Sequence, residues 1–492
     1  MFDFFRTGHI AFVHLFYINL VLSIVIVFFQ RREPRAVWTW LLALNFLPVV
    51  GIILYLLIGQ DYRKSKMFKI KNVEDSISKA AIKQEKFFAN NDRVLNDPYT
   101  KKYQRQMQYN LISGGSLMTM KNTLKIFNDG NDKFDALIDD IKNAKEYIHL
   151  QYYIIKNDYL FRNISRELIK KADEGVEVRV LFDGMGGRFM SKKILDNMKA
   201  HKIKIGVFFP AALGKINFRI NYRNHRKIAV IDGKIGYVGG FNIGKEYVDG
   251  SKKFGHWRDT HLRIVGEAVN GLELRFGLDW NYATKEDIFN SDKYFKPLEE
   301  MNILPKNGDD VLRMQIISSG PDSETKLIRD NYIEIINNAK DHVYIHTPYF
   351  IPDEAFMSAL NVAARSGVDV RLMIPCMPDH PFVYSATLSW AGTLLEAGGK
   401  VYTYERGFLH AKSVMADGKV ACVGTANMDI RSFELNFEVN AMIYDEDIAT
   451  ELEDNFMRDI YDSEEYTFDM YKNRSLLQRI KEQVSRLLSP LL

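Results

Sequence analysis

Hydrophobic positions are spread unevenly along this chain. Ile10 to Phe29 is a run of twenty residues without a formal charge, with His14, Asn19 and Ser23 as its only clearly polar side chains, and Ala36 to Gln60 is a second uncharged run. Each is long enough, as a helix, to cross a hydrocarbon core of about 30 Å. The pattern predicts an N-terminal transmembrane hairpin over residues 1–60, with spans at about 10–29 and 37–58. Gln30-Arg31-Arg32-Glu33-Pro34-Arg35 forms the turn, and Trp38 and Trp40 sit where an interfacial aromatic belt would sit. The alternatives are a hairpin buried in a core or a cleaved signal peptide, but a signal peptide has a shorter apolar region and no second span behind it. Pro48 with Gly51 allows the second segment to be bent or re-entrant.

Residues 61–110 are charged, with mixed helical patterning, and read as a juxtamembrane connector. Beyond them, strand-like and helix-like stretches alternate and the sequence repeats itself. YIHLQYYI at 147–154 matches YIHTPYFI at 344–351, GVEVRVLFD at 175–183 matches GVDVRLMIP at 367–375, and NHRKIAVIDGKIGYVGGFN at 224–242 matches LHAKSVMADGKVACVGTAN at 409–427. The offsets are 197, 192 and 185 residues, so two copies of one unit follow each other with small differences in loop length. A helical stretch at Phe134–Ala144 precedes an apolar strand at Tyr147–Ile155, and a helix at Asn163–Glu174 ends at Gly175 before the strand Val176–Phe182. This alternation predicts an α/β fold with a mainly parallel sheet covered by helices. The expected organisation is a first α/β domain over 111–300, a second over 301–470, and a C-terminal amphipathic helix over 471–492. The two repeats are expected to pack around a pseudo-two-fold axis with one shared site.

Charge refines this picture. The net charge of +4 is too small to imply a nucleic-acid partner. Arg6 before the first span and Arg63, Lys64, Lys66, Lys69 and Lys71 after the second outnumber Arg31, Arg32 and Arg35 in the turn. With an even number of spans, the positive-inside rule then places the large region in the cytoplasm at a cell membrane, where the basic cluster would meet anionic headgroups. Two cysteines, Cys376 and Cys422, lie far apart and argue against a disulfide framework or a structural zinc site.

The third repeated block carries the candidate chemistry. The first copy reads His225-x-Lys227-x4-Asp232-x6-Gly239-Gly240-x-Asn242, and the second reads His410-x-Lys412-x4-Asp417-x6-Gly424-Thr425-x-Asn427. Residues i and i+2 of a strand share a face, so each histidine projects beside its lysine. A nucleophile or acid next to a fixed cation suits phosphoryl chemistry. His225, Lys227, Asp232, His410, Lys412 and Asp417 are the candidate catalytic set. Asp232-Gly233 and Asp417-Gly418 fall between alternating apolar runs and predict hairpin turns, about 16 Å of strand away from the lysines, so the two aspartates read mainly as turn residues. The returning strands bring Asn242 and Asn427 beside the His-Lys pairs, where their amides can join Lys227 and Lys412 in binding phosphate. The histidines also need an orienting carboxylate. Asp259 in HWRDTHLRIVG, 34 residues after His225, and Glu438 in NFEVNAMIYD, 28 residues after His410, lie on apolar strands and are the candidates, each expected to hold the histidine of the motif upstream of it, the alternative being ion pairs with an arginine such as Arg258 or Arg431.

The twin HxKxxxxD motifs, each followed by G-[GST]-x-N, resemble the phospholipase D superfamily over roughly Asn110 to Asp462. That resemblance implies that one histidine forms a phosphohistidine and the other protonates the leaving alkoxide, with no metal or other cofactor. The phrases FGHWRDTHLRIVG, HTPYFIPDEAF, PDHPF and GTANMDIRSFELNFEVN, with the ending LLQRIKEQVSRLLSPLL, are similar to bacterial cardiolipin synthases of the Gram-positive type, essentially end to end. The implied reaction joins two phosphatidylglycerols into cardiolipin and glycerol, with His225 as nucleophile and His410 as acid and then base; the pseudo-symmetry leaves the reverse assignment as a rival. Phosphatidylglycerol and cardiolipin in the membrane are thus the expected partners, no nucleic acid is expected, and a homo-oligomer stays open. The rival functions are a phospholipase D that releases phosphatidic acid, a membrane-tethered nuclease and a lipid-binding pseudoenzyme. Leu477, Ile480, Val484, Leu487 and Leu488 recur at helical spacing, so the last segment is either an interfacial helix or one packed on the catalytic core.

Overall fold

The computed structural model describes residues 2–29, 34–58, 71–89, 98–188, 190–210, 221–289, 293–294 and 312–489. Two sheets organise the chain beyond Gly114. In the first, strands β1 (Asn122–Phe127), β2 (Tyr147–Tyr152), β3 (Glu177–Asp183), β4 (Lys204–Phe208), β5 (Ile228–Ile231), β6 (Ile235–Gly239) and β7 (His261–Gly266) lie in the order β1-β7-β6-β5-β2-β3-β4. In the second, β8 (Arg313–Ser319), β9 (His342–His346), β10 (Asp369–Pro375), β11 (Lys400–Tyr404), β12 (Ser413–Ala416), β13 (Val420–Gly424), β14 (Asn436–Tyr444) and β15 (Ser463–Glu465) run β8-β14-β13-β12-β9-β10-β11-β15. The repeat read in the sequence is therefore a repeat in space, since the order of the first sheet recurs strand for strand before β15 is added.

The mainly parallel sheet expected from the alternation is corrected here to a mixed one. β2, β3 and β4 are parallel, as are β9, β10 and β11, but every other adjacent pairing in the two sheets is antiparallel. For β5–β6 and β12–β13 the physical reason lies in the Asp-Gly turns. A tight reversal can only join antiparallel neighbours, whereas parallel neighbours need a helical crossover.

Local sequence builds the helices between them. Asp158 caps the helix Tyr159–Asp173 by accepting from the backbone N–H groups of Leu160 and Phe161, and Leu160, Phe161, Ile164 and Leu168 put one stripe into the core. The helix stops at Gly175, whose φ of +94° suits a residue without a Cβ. A single apolar cluster joins the halves: Ile228, Val230, Val238 and Leu262 of the first pack with Met415, Ala421, Val423 and Val439 of the second.

Two short parallel ladders also cross between the halves. Arg223–Asn224 pairs with Asn436–Phe437, and Gly407–Leu409 pairs with His256–Arg258. Each chain segment leading into a His-x-Lys motif is thus zipped to the other half.

At the N-terminus, helix α1 (Phe2–Ile24) runs on through a π-helical turn at Val25–Phe29. The expected second span is not one helix. It breaks at Leu47 into α2 (Pro34–Phe46) and α3 (Pro48–Ile58), because Pro48 offers no N–H and disfavours helical backbone at the residue before it. Among the described residues, no helix is long and apolar enough to cross a membrane. The basic cluster Arg63–Lys69 and the turn residues Gln30–Glu33 lie outside the described residues.

The C-terminal helix Leu476–Leu487 buries Glu482 and Ser485 and leaves Leu477, Ile480, Val484 and Leu487 exposed. It docks by its polar side: Arg486 lies 3.8 Å from the Trp390 ring centroid and donates to Thr393 Oγ1 at 3.1 Å, and Glu482 pairs with Arg474 at 2.6 Å.

Candidate active site

The two His-x-Lys motifs meet at the junction of the halves. The crossing ladders continue by one bond on each side: the His225 N–H donates to the Phe437 carbonyl at 3.0 Å, and the His410 N–H donates to the Arg258 carbonyl at 2.7 Å. Phe437 precedes Glu438 and Arg258 precedes Asp259, so the backbone register itself delivers each acid to the histidine of the opposite half, which corrects the expectation that each would serve the motif upstream of it. His225 Nδ1 stands 3.0 Å from both Glu438 oxygens, and His410 Nδ1 stands 2.6 Å from Asp259 Oδ2. A carboxylate at Nδ1 fixes the tautomer with the proton there and leaves Nε2 free to react. The alternative partners in the sequence are taken elsewhere, with Arg258 ion-paired to Asp459 at 2.7 Å.

The acids are seated differently. Gly240 adjoins Asp259 so closely that a Cβ there would fall 1.9 Å from Oδ1. Thr425 holds the matching place in the second half, and its hydroxyl donates to Glu438 Oε2 at 2.6 Å. Glu438 also accepts from the Asn436 amide at 3.2 Å, while the other Asp259 oxygen takes the Thr260 N–H at 2.7 Å. Arg226 braces the first junction, donating to the Glu438 carbonyl at 3.2 Å and pairing with buried Asp279 at 2.5 Å.

Lys227 and Lys412 are fully buried. Lys227 donates to the His225 carbonyl at 2.6 Å and Lys412 to the His410 carbonyl, which leaves two donors on each ammonium. Burial pulls the Lys227 ammonium down to about 7 against the attraction of Glu438, and Lys412 down to about 8 against that of Asp259. Burial also lowers both histidines, His410 to about 3 with the charge of Lys412 adding to the effect. Burial works the other way on Glu438, but His225 and then Lys227 hold its carboxyl below the usual range. Burial thus makes each ammonium costly to keep charged, and an anion placed between the two lysines would favour their charged forms.

Asn242 and Asn427 are buried beside the lysines' strands. Asn242 donates to the Tyr247 hydroxyl at 2.9 Å and Asn427 to Asp429 at 3.1 Å, so each amide keeps one N–H uncommitted. Asp232 and Asp417 are not brought to the cleft, and their place in the catalytic set is corrected accordingly. Asp232 has a φ of +52° in its hairpin turn and accepts the N–H groups of Lys145, Glu146 and Tyr147. Asp417 repeats this with Lys340, Asp341 and His342. Each carboxylate accepts three successive backbone N–H groups and so ties its turn to the start of β2 or β9.

Aromatic side chains that sequence reasoning missed line the histidines. The Tyr153 ring meets His225 edge-on at 5.0 Å, and Trp257 and Tyr247 lie 5.8 and 6.2 Å from His410. The signal for Tyr153 was its place at the end of the repeated YIHLQYYI block; Tyr247 stands outside the repeat and had none. Among the described residues, no cluster of three or more His, Cys, Asp or Glu side chains could hold a metal ion.

Comparison with known proteins agrees with this geometry. The family described as cardiolipin synthase, PLD-like domain, matches residues 137–254 and 332–460, once in each half, and the phospholipase D-nuclease N-terminal family matches 18–60. The chain belongs to the cardiolipin synthase family of phospholipase D-like enzymes. It is 49% identical to a cardiolipin synthase of Staphylococcus aureus over 98% of this chain and 96% of that one. It is 46% identical to a cardiolipin synthase of Listeria monocytogenes, over 98% of each. Among solved structures, the phosphatidylserine synthase of Haemophilus influenzae shares the fold, with a TM-score of 0.60 at 16% identity over 80% of this chain and 100% of that one.

Proposed function

We propose that this enzyme is a cardiolipin synthase that transfers a phosphatidyl group between two phosphatidylglycerols at a membrane, releasing glycerol. The observation that carries the reading is the pair of buried histidines, each held at Nδ1 by the opposite half's carboxylate, next to two buried lysines. A phosphodiester anion entering between Lys227 and Lys412 relieves their mutual repulsion, and the remaining N–H of Asn242 and of Asn427 can reach its oxygens. His225 Nε2 attacks phosphorus. The N–P bond forms, the bond from phosphorus to the glycerol oxygen breaks, and His410, protonated at Nε2 as well as Nδ1 once the phosphodiester anion offsets the charge of Lys412 beside it, gives the Nε2 proton to that oxygen. The headgroup hydroxyl of the second phosphatidylglycerol then enters, returns a proton to His410, and displaces His225 to form the new phosphodiester. One phosphodiester replaces another, so no nucleotide is consumed.

The assignment of roles rests on the acids. Asp259 has one short contact to His410, whereas Glu438 divides its charge among His225, Thr425 and Asn436. The less shared carboxylate better stabilises an imidazolium, which suits His410 to proton transfer and His225 to attack. Hydrolysis to phosphatidic acid uses the same residues but is not favoured, because the relatives that align from end to end are cardiolipin synthases. The test uses purified protein in vesicles of phosphatidylglycerol alone, with chelator and without nucleotide. Cardiolipin and glycerol should appear in equal amounts and disappear in His225→Ala. Phosphatidic acid without cardiolipin would make water the acceptor and refute the transfer reading.

A further inference from the structure

The second apolar run doubles back on itself. The Trp40 and Tyr55 rings meet edge to face at 5.4 Å, whereas fifteen residues of straight helix would separate them by about 22 Å. Gly51 lies so close to α2 that a Cβ there would fall 2.4 Å from the Ala43 carbonyl oxygen. These contacts are centred on Leu47, the one residue between α2 and α3. Little backbone bonding is lost at the reversal, since the Leu47 N–H donates to Ala43 at 3.0 Å and its carbonyl accepts from Gly51 at 2.5 Å. The Asn45 amide adds a bond to the Leu41 carbonyl at 2.7 Å.

The arms are short and the tip is apolar. α2 has 13 residues and α3 has 11, which makes them about 20 and 17 Å long against a hydrocarbon core of about 30 Å. Phe46, Leu47, Val49 and Val50 at the reversal are all more than half exposed, with Phe46 at 78%. A loop emerging into water on the far side of a membrane would carry polar residues there. The charges stand instead at the two feet of the sequence: Arg31 and Arg32 precede the hairpin and Arg35 opens it, while Asp61, Arg63 and Lys64 follow it. α1 and the π-helical turn that continues it pack along the same hairpin, with Leu22 and Ile26 against Leu44 and Tyr55. Phe16 and Leu20 share a cavity of about 380 Å³ with Leu42 and Phe46, so the tip lies near the middle of α1.

We propose that Pro34–Ile58 is a re-entrant wedge, inserted among the acyl chains of a single leaflet, that enters and leaves the membrane on the side of its charged feet. The occupant of its exposed apolar surface is lipid hydrocarbon, which is the only medium that suits a bare apolar tip between two basic ends. The wedge does not count as a crossing. Whether the N-terminus and the catalytic region share a side is then decided by α1 alone, and the even-span argument from charge no longer applies.

The experiment labels single cysteines in the full chain, with Cys376→Ser and Cys422→Ala as background. Glu33→Cys and Gln60→Cys flank the wedge, and Leu47→Cys marks its tip. A membrane-impermeant maleimide is applied to right-side-out and to inverted vesicles, and only variants that still make cardiolipin are scored. Arg32→Cys and Asp61→Cys replace any foot variant that does not. The wedge requires both feet to be labelled in the same vesicle orientation, with Leu47→Cys unlabelled in either until detergent is added. Feet labelled in opposite orientations, or a tip labelled in intact vesicles, would overturn it.

Discussion

A carboxylate that accepts several backbone N–H groups holds the chain in place, whereas one that faces an imidazole N–H changes the reactivity of that ring. Asp232 and Asp417 are of the first kind, and Asp259 and Glu438 of the second. Asp232→Ala should therefore lower stability by about 1–3 kcal/mol, seen as a reduced melting temperature, while activity measured well below that temperature stays close to wild type. A thousandfold loss of turnover without a change in melting would restore Asp232 to the catalytic set. Glu438→Gln and Asp259→Asn should do the reverse, cutting turnover by about 10²–10⁴ while the protein still folds. The lysines make a prediction about pH. Burial holds them at about 7 and about 8 in the empty cleft, below the ordinary 10.5, so an anion binds more tightly when they are charged and favours their charged form in turn. The affinity for sulfate, which does not itself titrate near neutrality, should fall as pH rises from 7 to 9, and Lys227→Met should flatten that slope in calorimetry. A slope unchanged by Lys227→Met would place the titrating cation elsewhere.

Among the elements, the two hairpins that carry the His-x-Lys motifs were legible in the sequence, because Asp-Gly between alternating apolar runs has few other solutions. The second span was not. Hydropathy measures how much apolar chain is available and says nothing of its path, so a hairpin of two short helices and one long helix look the same until Pro48 and Gly51 are given their geometric weight. The C-terminal helix shows a related ambiguity. Its amphipathic period was plain in the sequence, but the direction of the apolar stripe was not. It points outward, with Leu477 and Leu487 about four-fifths exposed, while Arg486 makes the attachment at Trp390 and Thr393. A stripe that buries nothing contributes little to folding, and for an enzyme of membrane lipids its natural neighbour is the lipid surface. Leu477→Gln with Val484→Gln should leave the melting temperature unchanged and should reduce activity on vesicles more than on lipid dispersed in detergent micelles. Equal activity on both, or a drop in melting temperature, would assign the stripe to packing.

At the scale of the whole molecule, the repeat announced two copies and a shared site, and that much could be read from three blocks at nearly constant offset. What no offset could show is which acid serves which histidine. The answer is set by the crossing ladders, Arg223–Asn224 on Asn436–Phe437 and Gly407–Leu409 on His256–Arg258, which are too short and too irregular in sequence to stand out as strands. They make each half incomplete: His225 lacks its carboxylate without the second half, and His410 lacks its own without the first. The shared apolar core, the Arg226 bond to the Glu438 carbonyl and the Arg258–Asp459 pair fix that arrangement within one chain. A cleft built from both halves of a single chain cannot be repaired by a second chain, whatever the oligomeric state. Mixing His225→Ala protein with His410→Ala protein, or coexpressing the two, should therefore give no more cardiolipin than either alone. Substantial recovery would mean that the halves exchange between chains, so that an intact His225 from one copy meets an intact His410 from another.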